Sequence, residues 1–310
     1  MGLKASLVMK NSPKHPVPET GTENKIPKPP KRPEGLISRN KMKHFDNRLE
    51  HCKNRIGDFT VHHKGATKKI KYTNSNLRRE FFDSYMPGVF LCNMVRKNIR
   101  EYIEKNGPLP ATSYYDQFYR LKKFNLPLIE QNLGMPMYGI DCDYFYFKIA
   151  FDQGYINQRT LYKALEKKEE YKQARLAAIG GLNARTWVEV YENGVKVRDE
   201  YDTEDFNIYH PFYWKIIKIA TQLMEECFET FPDLCCMWLT DCVYTTVAGK
   251  AKITEFFTKK GYEHKYFAID FIRVDYEQNR VHWFDGKAMA PKAIKFSIYD
   301  LTADQQKEAA

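Results

Sequence analysis

The spacing of apolar residues predicts several amphipathic helices along the chain. Between Asn74 and Asn106 the apolar residues recur every three or four positions: Leu77, Phe81, Phe82, Tyr85, Val89, Phe90, Met94, Val95, Ile99, Tyr102 and Ile103. Met86-Pro87-Gly88 interrupts this pattern and Gly107-Pro108 ends it, so the segment should form two helices. Further helices are expected over 158–184, over Tyr213–Phe228 after His210-Pro211, and over Ile253–Lys260 before Gly261.

Other segments have the composition of β-strands. The aromatic run Gly139–Phe147 should turn from strand into helix, and Cys235–Leu239 should be a buried strand that leads into Thr240-Asp241. Asn193-Gly194 between two valine-rich runs predicts a hairpin. Three more strands are expected, over Val243–Val247, Tyr266–Val274 and Arg280–Phe284. Helices that alternate with antiparallel strands indicate an α+β fold.

Charge is concentrated at the N-terminus. The chain has a formal net charge of +10, and residues 1–80 alone hold 19 Lys and Arg against 7 Asp and Glu. Seven of the 15 prolines lie within residues 11–34, so residues 1–40 should form a disordered basic arm. A basic arm suits a polyanion such as nucleic acid, because neutralising phosphates releases bound counterions.

Membrane, disulfide and zinc-ribbon classes are disfavoured. No apolar run approaches the roughly 18–20 residues that span a bilayer. We therefore expect a cytoplasmic location and no membrane partner. The cysteines are odd in number and show no C-x-x-C spacing. A loose cluster of metal-ligand residues in the basic region is interpreted as surface histidines; it comprises His44, His51, Cys52, His62 and His63.

Three segments carry the candidate chemistry. Asp141–Phe147 reads Asp-Cys-Asp-Tyr-Phe-Tyr-Phe, and Lys172–Gly180 begins with Lys and ends with Gly. Leu239–Tyr244 reads Leu-Thr-Asp-Cys-Val-Tyr, with Asp241 third. In order and spacing they resemble the palm motifs of family B DNA polymerases, which are Asp-x-x-Ser-Leu-Tyr-Pro, Lys-x-x-x-Asn-Ser-x-Tyr-Gly and Asp-Thr-Asp-Ser-Val-Phe.

The resemblance implies a two-metal nucleotidyl transfer site. Asp141 and Asp241 would be the catalytic carboxylates that bind Mg²⁺ or Mn²⁺, on neighbouring antiparallel strands. The nucleotide would be bound by Lys172 and Arg175 on one helix face and by Gly180, with Tyr146 in the position that excludes a ribose 2′-hydroxyl. Lys292 and Lys295 would contact the DNA backbone.

The resemblance also implies an organisation and a role. After the arm we expect a mainly helical region over 41–130, a palm with short fingers over 131–250 and a small α/β extension over 251–310. The partners would be primer-template DNA, deoxynucleotides and other replication proteins, in a bacterial or phage-infected cell. Because the third motif has Leu239 instead of its first Asp, a catalytically degenerate palm that binds DNA as an accessory protein is the alternative. A metal-dependent nuclease ranks last.

Overall fold

The computed structural model describes residues 39–64, 67–72, 80–82, 87–111, 121–285, 290–302 and 305–306. Its helices are α1 (Arg39–Arg55), α2 (Phe90–Asn106), α3 (Leu126–Gln131), α4 (Phe145–Asp152), α5 (Gln158–Leu165), α6 (Lys172–Gly180), α7 (Glu204–Thr230) and α8 (Gly249–Lys259). Its strands are β1 (Phe59–Lys64), β2 (Thr67–Tyr72), β3 (Glu80–Phe82), β4 (Lys122–Phe124), β5 (Met137–Cys142), β6 (Thr186–Glu192), β7 (Val195–Asp202), β8 (Cys235–Leu239), β9 (Cys242–Thr246), β10 (His264–Ile269), β11 (Phe271–Asp275), β12 (Arg280–Phe284) and β13 (Lys292–Lys295).

These elements confirm the α+β class. The strands form three antiparallel sheets, in the orders β3-β2-β1-β6-β7, β10-β5-β9-β8-β4 and β11-β12-β13. We call them the N-terminal, central and third sheets. The predicted basic arm, residues 1–40, lies outside the described residues except for the first two residues of α1.

Both faces of the central sheet are covered. Residues such as Ile140, Trp238 and Val243 pack against helices α2 and α4 to α8. Met137 and Tyr244, which point the other way, pack against α3 and the inner face of the third sheet. This double burial explains why β8 is a continuous apolar run and why every residue of β9 is buried.

The N-terminal sheet has a separate, smaller core under α1. Its buried residues are Phe45, Cys52, Phe59, Val61, Ile70 and Tyr191. The predicted hairpin at Asn193-Gly194 is confirmed as the connection between β6 and β7. Gly194 has φ +77°, and a Cβ there would lie 2.0 Å from the carbonyl oxygen of Lys53, so glycine is required at this position.

The region over 41–130, expected to be mainly helical, contains β1, β2, β3 and β4 besides its helices. The alternation of Phe59 with Val61 and of Ile70 with Tyr72 has the period of strands, and these residues pair across β1 and β2. Glu80–Phe82 is a strand rather than part of a helix, because it pairs with β2.

Three other boundaries differ from the prediction. The helix over 158–184 is split into α5 and α6 by a turn over residues 166–171. Helix α7 begins at Glu204 and continues through the buried Pro211, since packing in the main core overrides the helix-breaking tendency of proline. The strand over Tyr266–Val274 is interrupted at Asp270, and β10 pairs with β5, so the central sheet extends past the boundary expected at residue 250.

In the described part of the chain, no helix is both long enough and apolar enough to cross a bilayer. All seven cysteines lie in this part and are free thiols, and six of them are buried. Burial raises the pKa of Cys236 to about 12, and it also raises the pKa values of Cys142 and Cys242.

Candidate active site

The central sheet brings Asp141 and Asp241 side by side. Asp141 lies near the end of β5, and Asp241 lies in the turn between β8 and β9. Asp141 is opposite Cys242 in the register of β5 and β9, and the N–H of Cys142 donates to the carbonyl oxygen of Asp241 at 2.9 Å. The sequence predicted this adjacency on neighbouring antiparallel strands, although Asp241 is in the turn rather than within a strand.

Two residues in left-handed backbone conformation flank this pair. Thr240 has φ +53° and Tyr144 has φ +54°, values that non-glycine residues rarely adopt and that β-branched threonine especially disfavours. The N–H of Thr240 donates to Leu121 O at 2.8 Å, and its hydroxyl lies 2.8 Å from Oδ1 of Asp241. The strained turn therefore fixes the direction of the Asp241 carboxylate, and such strain clusters at functional sites.

The Asp241 carboxyl is electrostatically unfavourable when ionised. Burial raises its pKa, the Thr240 hydroxyl opposes that shift, and the nearby charge of Asp141 raises the pKa further. Two acidic groups in a partly buried position repel each other unless a cation lies between them. This arrangement favours binding of a cationic ligand.

Lys265 and Asp143 complete the acidic end of the sheet. Lys265 lies opposite Asp141 in the pairing of β10 with β5. Its Nζ is 3.0 Å from Oδ2 of Asp141 and 2.8 Å from Oδ1 of Asp143. Burial alone would lower the pKa of Lys265, but hydrogen bonds to the two carboxylates raise it above its ordinary value. The sequence analysis missed Lys265, because only the pairing of β10 with β5 places it here.

Lys172 and Arg175 occupy different environments, although the sequence places them on one helix face. Arg175 lies 4.7 Å from the ring centre of Tyr144, and it donates to the carbonyl oxygens of Ala164 at 2.9 Å and of Lys168. Burial lowers the pKa of Arg175, and the nearby charge of Asp143 is one of the interactions that oppose this shift. Lys172, in contrast, is exposed in the first turn of α6. Arg175 is therefore partly buried and hydrogen-bonded beside the acidic cluster, whereas Lys172 is accessible to solvent.

Tyr146 and Gly180 lie at different distances from this cluster. Tyr146 is half-buried in α4, where burial and then the charge of Asp241 raise the pKa of its hydroxyl, so it is close to the acidic pair. Gly180 ends α6, roughly 12 Å along the helix from Lys172. A Cβ at Gly180 would meet no atom within 4 Å outside the backbone of its own helix.

Lys292 and Lys295 belong to the third sheet rather than to the central sheet. Nζ of Lys292 is 2.5 Å from Oδ2 of Asp285. Lys295 has an exposed side chain, and its carbonyl oxygen accepts a hydrogen bond from Nζ of Lys122 at 2.6 Å. These two lysines thus lie on a different sheet from the acidic pair.

A divalent ion can be held by a cluster of donor side chains or by one or two carboxylates together with ligands from the substrate and water. Among the described residues, no group of three or more His, Cys, Asp or Glu side chains is arranged to hold a metal ion, and this covers the histidines near Cys52. Mg²⁺ is commonly bound by one or two carboxylates, with substrate phosphates and water as the other ligands. Asp141 and Asp241 fit that second pattern.

Comparisons of the chain with protein-family models, with curated proteins and with solved structures found no match.

Proposed function

We propose that this protein adds deoxynucleotides to the end of a DNA primer in a template-directed reaction. The observation that carries the proposal is the placement of Asp141 and Asp241 side by side at the end of the central sheet. The polymerase-like order of the three motifs and the basic N-terminal region support it. Primer-template DNA and deoxynucleotides are the proposed partners, together with other replication proteins.

Asp141 and Asp241 would hold the Mg²⁺ or Mn²⁺ of this reaction. The bound metal would neutralise charge on the phosphates during an in-line displacement. The strained backbone at Thr240 holds the Asp241 carboxylate in a fixed orientation. Such preorganisation matters because misplaced carboxylates would reduce the stabilisation of the transition state.

The remaining residues would bind the nucleotide. Lys265 neutralises Asp141 and Asp143 and is more than half exposed, so its ammonium is also accessible to a triphosphate. Lys172 offers a second exposed cation on α6. Tyr146 lies close to Asp241, where its ring could select against a ribose 2′-hydroxyl.

One observation favours the alternative of a DNA-binding accessory protein without catalysis. The ammonium of Lys265 already forms ion pairs with Asp141 and Asp143. In a degenerate site, this lysine would permanently replace the metal charge. DNA affinity would then survive substitution of Asp141 or Asp241 and would depend mainly on the basic arm.

Primer extension by the full chain, resolved on a denaturing gel with Mg²⁺ or Mn²⁺, tests the enzymatic proposal. Asp141→Asn and Asp241→Asn should each lower the extension rate by at least about a thousandfold, equivalent to several kcal/mol of lost charge stabilisation. Asp152→Asn is the matched control, because Asp152 pairs with Lys148 at the surface of α4. Equal extension by wild type and both site variants would contradict the proposal.

Deletion of the arm tests the alternative. The deletion should stop at residue 38, because α1, β1 and β2 follow and form the core of the N-terminal sheet. If the protein is a non-catalytic accessory protein, we expect no primer extension and unchanged DNA affinity in the Asp variants. Deletion of the arm should then reduce the salt dependence of DNA binding. Extension that requires both aspartates would reject this alternative.

A further inference from the structure

The third sheet has a buried inner face and an outer face of different composition. Ile272, Val281 and Trp283 alternate inward and pack in the core beneath it. The strand register places the other residues on one outer surface, and these are Phe271, Arg273, Asp275, Arg280, His282, Phe284, Ala293 and Lys295. We call this surface the outer face.

An aromatic pair occupies one end of the outer face. Phe271 and Phe284 are directly opposite each other, with ring centres 6.1 Å apart and ring planes 27° apart. Both rings are half-buried, so each keeps solvent-accessible surface. Aromatic rings on an open sheet provide a surface on which an unpaired base can stack.

Three basic side chains also lie on the outer face. Arg273 and Lys295 are exposed and Arg280 is half-buried, and no carboxylate in the described part of the chain forms an ion pair with any of the three. The acidic residue of the face, Asp275, is engaged by the N–H of Gln278 at 3.0 Å and lies 3.8 Å from Nε2 of His282. The face therefore presents three cations that lack acidic partners.

We propose that the outer face binds single-stranded nucleic acid. Arg273, Arg280 and Lys295 contact its phosphates, and a base stacks on the Phe271–Phe284 pair. A single strand fits better than a duplex, because the bases of a duplex are already stacked and cannot reach the rings. The proposal goes beyond the catalytic one and needs neither Asp141 nor Asp241.

The position of the outer face relates it to the acidic end of the central sheet. Strand β10 carries Lys265 near its start, and only Asp270 separates its end from Phe271. Six extended residues span roughly 20 Å, so one continuous stretch of chain links the two surfaces. Nucleic acid bound on the outer face is thus held at a fixed distance, on the order of 20 Å, from the proposed reaction site.

Fluorescence anisotropy of labelled oligonucleotides tests the proposal, with the full chain and a chelator present. Oligo-dT and oligo-U of one length, and a duplex of the same length, are titrated at several salt concentrations. We expect single strands to bind at least tenfold more tightly than the duplex, and the two single strands identify which sugar is accepted. Because the chelator removes divalent ions, failure of the catalytic proposal would leave this result unchanged.

Two variants separate charge from stacking. Arg273→Ala with Lys295→Ala should reduce the slope of log affinity against log salt by about 0.7 for each cation. Lys97→Ala with Lys259→Ala is the control, because these exposed lysines pair with glutamates on helices α2 and α8. Phe271→Leu with Phe284→Leu should weaken single-strand binding roughly five- to hundredfold at an unchanged slope.

Unfolding in urea, followed by circular dichroism, verifies that each variant is folded. If the folded charge variant keeps the wild-type slope, or if the duplex binds as tightly as the single strands, the proposal is wrong. Retention of full single-strand affinity in the folded phenylalanine variant would also overturn it.

Discussion

Two carboxylates, Glu189 in the N-terminal sheet and Asp241 in the central sheet, show how differently these regions treat charge. Glu189 lies 3.5 Å from His63 and 3.2 Å from Lys196, and the interaction with His63 is the main cause that lowers its pKa to about 2. Burial instead raises the pKa of Asp241, and in the described part of the chain no Lys, Arg or His forms an ion pair with it. Cationic neighbours stabilise the first carboxylate, whereas burial and the charge of Asp141 outweigh the hydrogen bond from Thr240 at the second.

The difference indicates where a ligand would bind. On the N-terminal sheet, lateral ion pairs such as Lys196 with Asp199, at 2.7 Å, satisfy the charges within the protein. At the end of the central sheet, Lys265 is the one described Lys, Arg or His that forms an ion pair with any of the three aspartates, and it pairs with Asp141 and Asp143 only. Groups with unfavourable electrostatics in a fixed geometry are typical of functional sites, where stability is sacrificed for binding.

The largest expected effect concerns nucleotide choice at the acidic end. If the protein polymerises, Tyr146→Ala should raise ribonucleotide use relative to deoxynucleotide use by roughly ten- to thousandfold, because the ring that would exclude the 2′-hydroxyl is removed. Tyr146→Phe keeps the ring and should leave the ratio unchanged. Steady-state kinetics with both sugars measures it, and parallel loss of both activities would indicate that Tyr146 only packs in the core.

Metal affinity should respond to Lys265 and not to the lysines of the N-terminal sheet. Lys265→Met removes the ammonium that competes for Asp141, so the dissociation constant for Mn²⁺ should fall about three- to tenfold. Lys196→Met, which removes a partner of Glu189, is the control. Titration calorimetry without nucleotide measures both. Equal affinity of wild type and Lys265→Met would remove the distinction between the two regions.

Stability should change in opposite directions in the two sheets. With a chelator at neutral pH, Asp241→Asn should raise the free energy of unfolding by about 0.5–1 kcal/mol, since a partly buried charge next to Asp141 is removed. Glu189→Gln should lower it by a similar amount, because its ion pairs are lost. Urea unfolding gives both values, and changes of the same sign would contradict the comparison.

The smallest effect is the pH dependence of the Glu189 contribution. The folded-state pKa of about 2 is below the ordinary 4.5, so the unfolded state binds the proton more readily. The stabilisation is therefore complete above about pH 4.5 and is lost as the pH falls towards 2. The difference in unfolding free energy between wild type and Glu189→Gln should shrink between pH 5 and pH 3. A constant difference would show that Glu189 is not ionised in the way described.

The sequence was most informative where local pattern and burial agree. Strand β8 is a continuous apolar run that leads into Thr240-Asp241. Asn193-Gly194, between two valine-rich runs, specifies the hairpin that joins β6 and β7. The adjacency of Asp141 and Asp241 was expected from the resemblance of the three motifs, whereas the α+β class followed from these local patterns. Each of these patterns depends on residues close together in the chain or on a recurring strand period.

The features that the sequence did not predict depend on distant pairing. Lys265 meets Asp143 across 122 positions, and no local pattern indicates that β10 pairs with β5. The strand nature of Glu80–Phe82 comes from its pairing with β2, since three residues are too few to show a period. Pro211 stays within a helix because the surrounding core favours it.

The distribution of the cysteines provides a built-in reporter of local opening. Cys52 is buried in the core of the N-terminal sheet, whereas Cys142, Cys235 and Cys242 are buried in or beside the central sheet. Burial suppresses the alkylation of all four thiols, and the raised pKa values of Cys142 and Cys242 suppress it further, so each thiol should react only when its own region opens. Timed alkylation followed by peptide mass analysis would therefore resolve the opening rates of the two sheets in one protein without any amino-acid substitution.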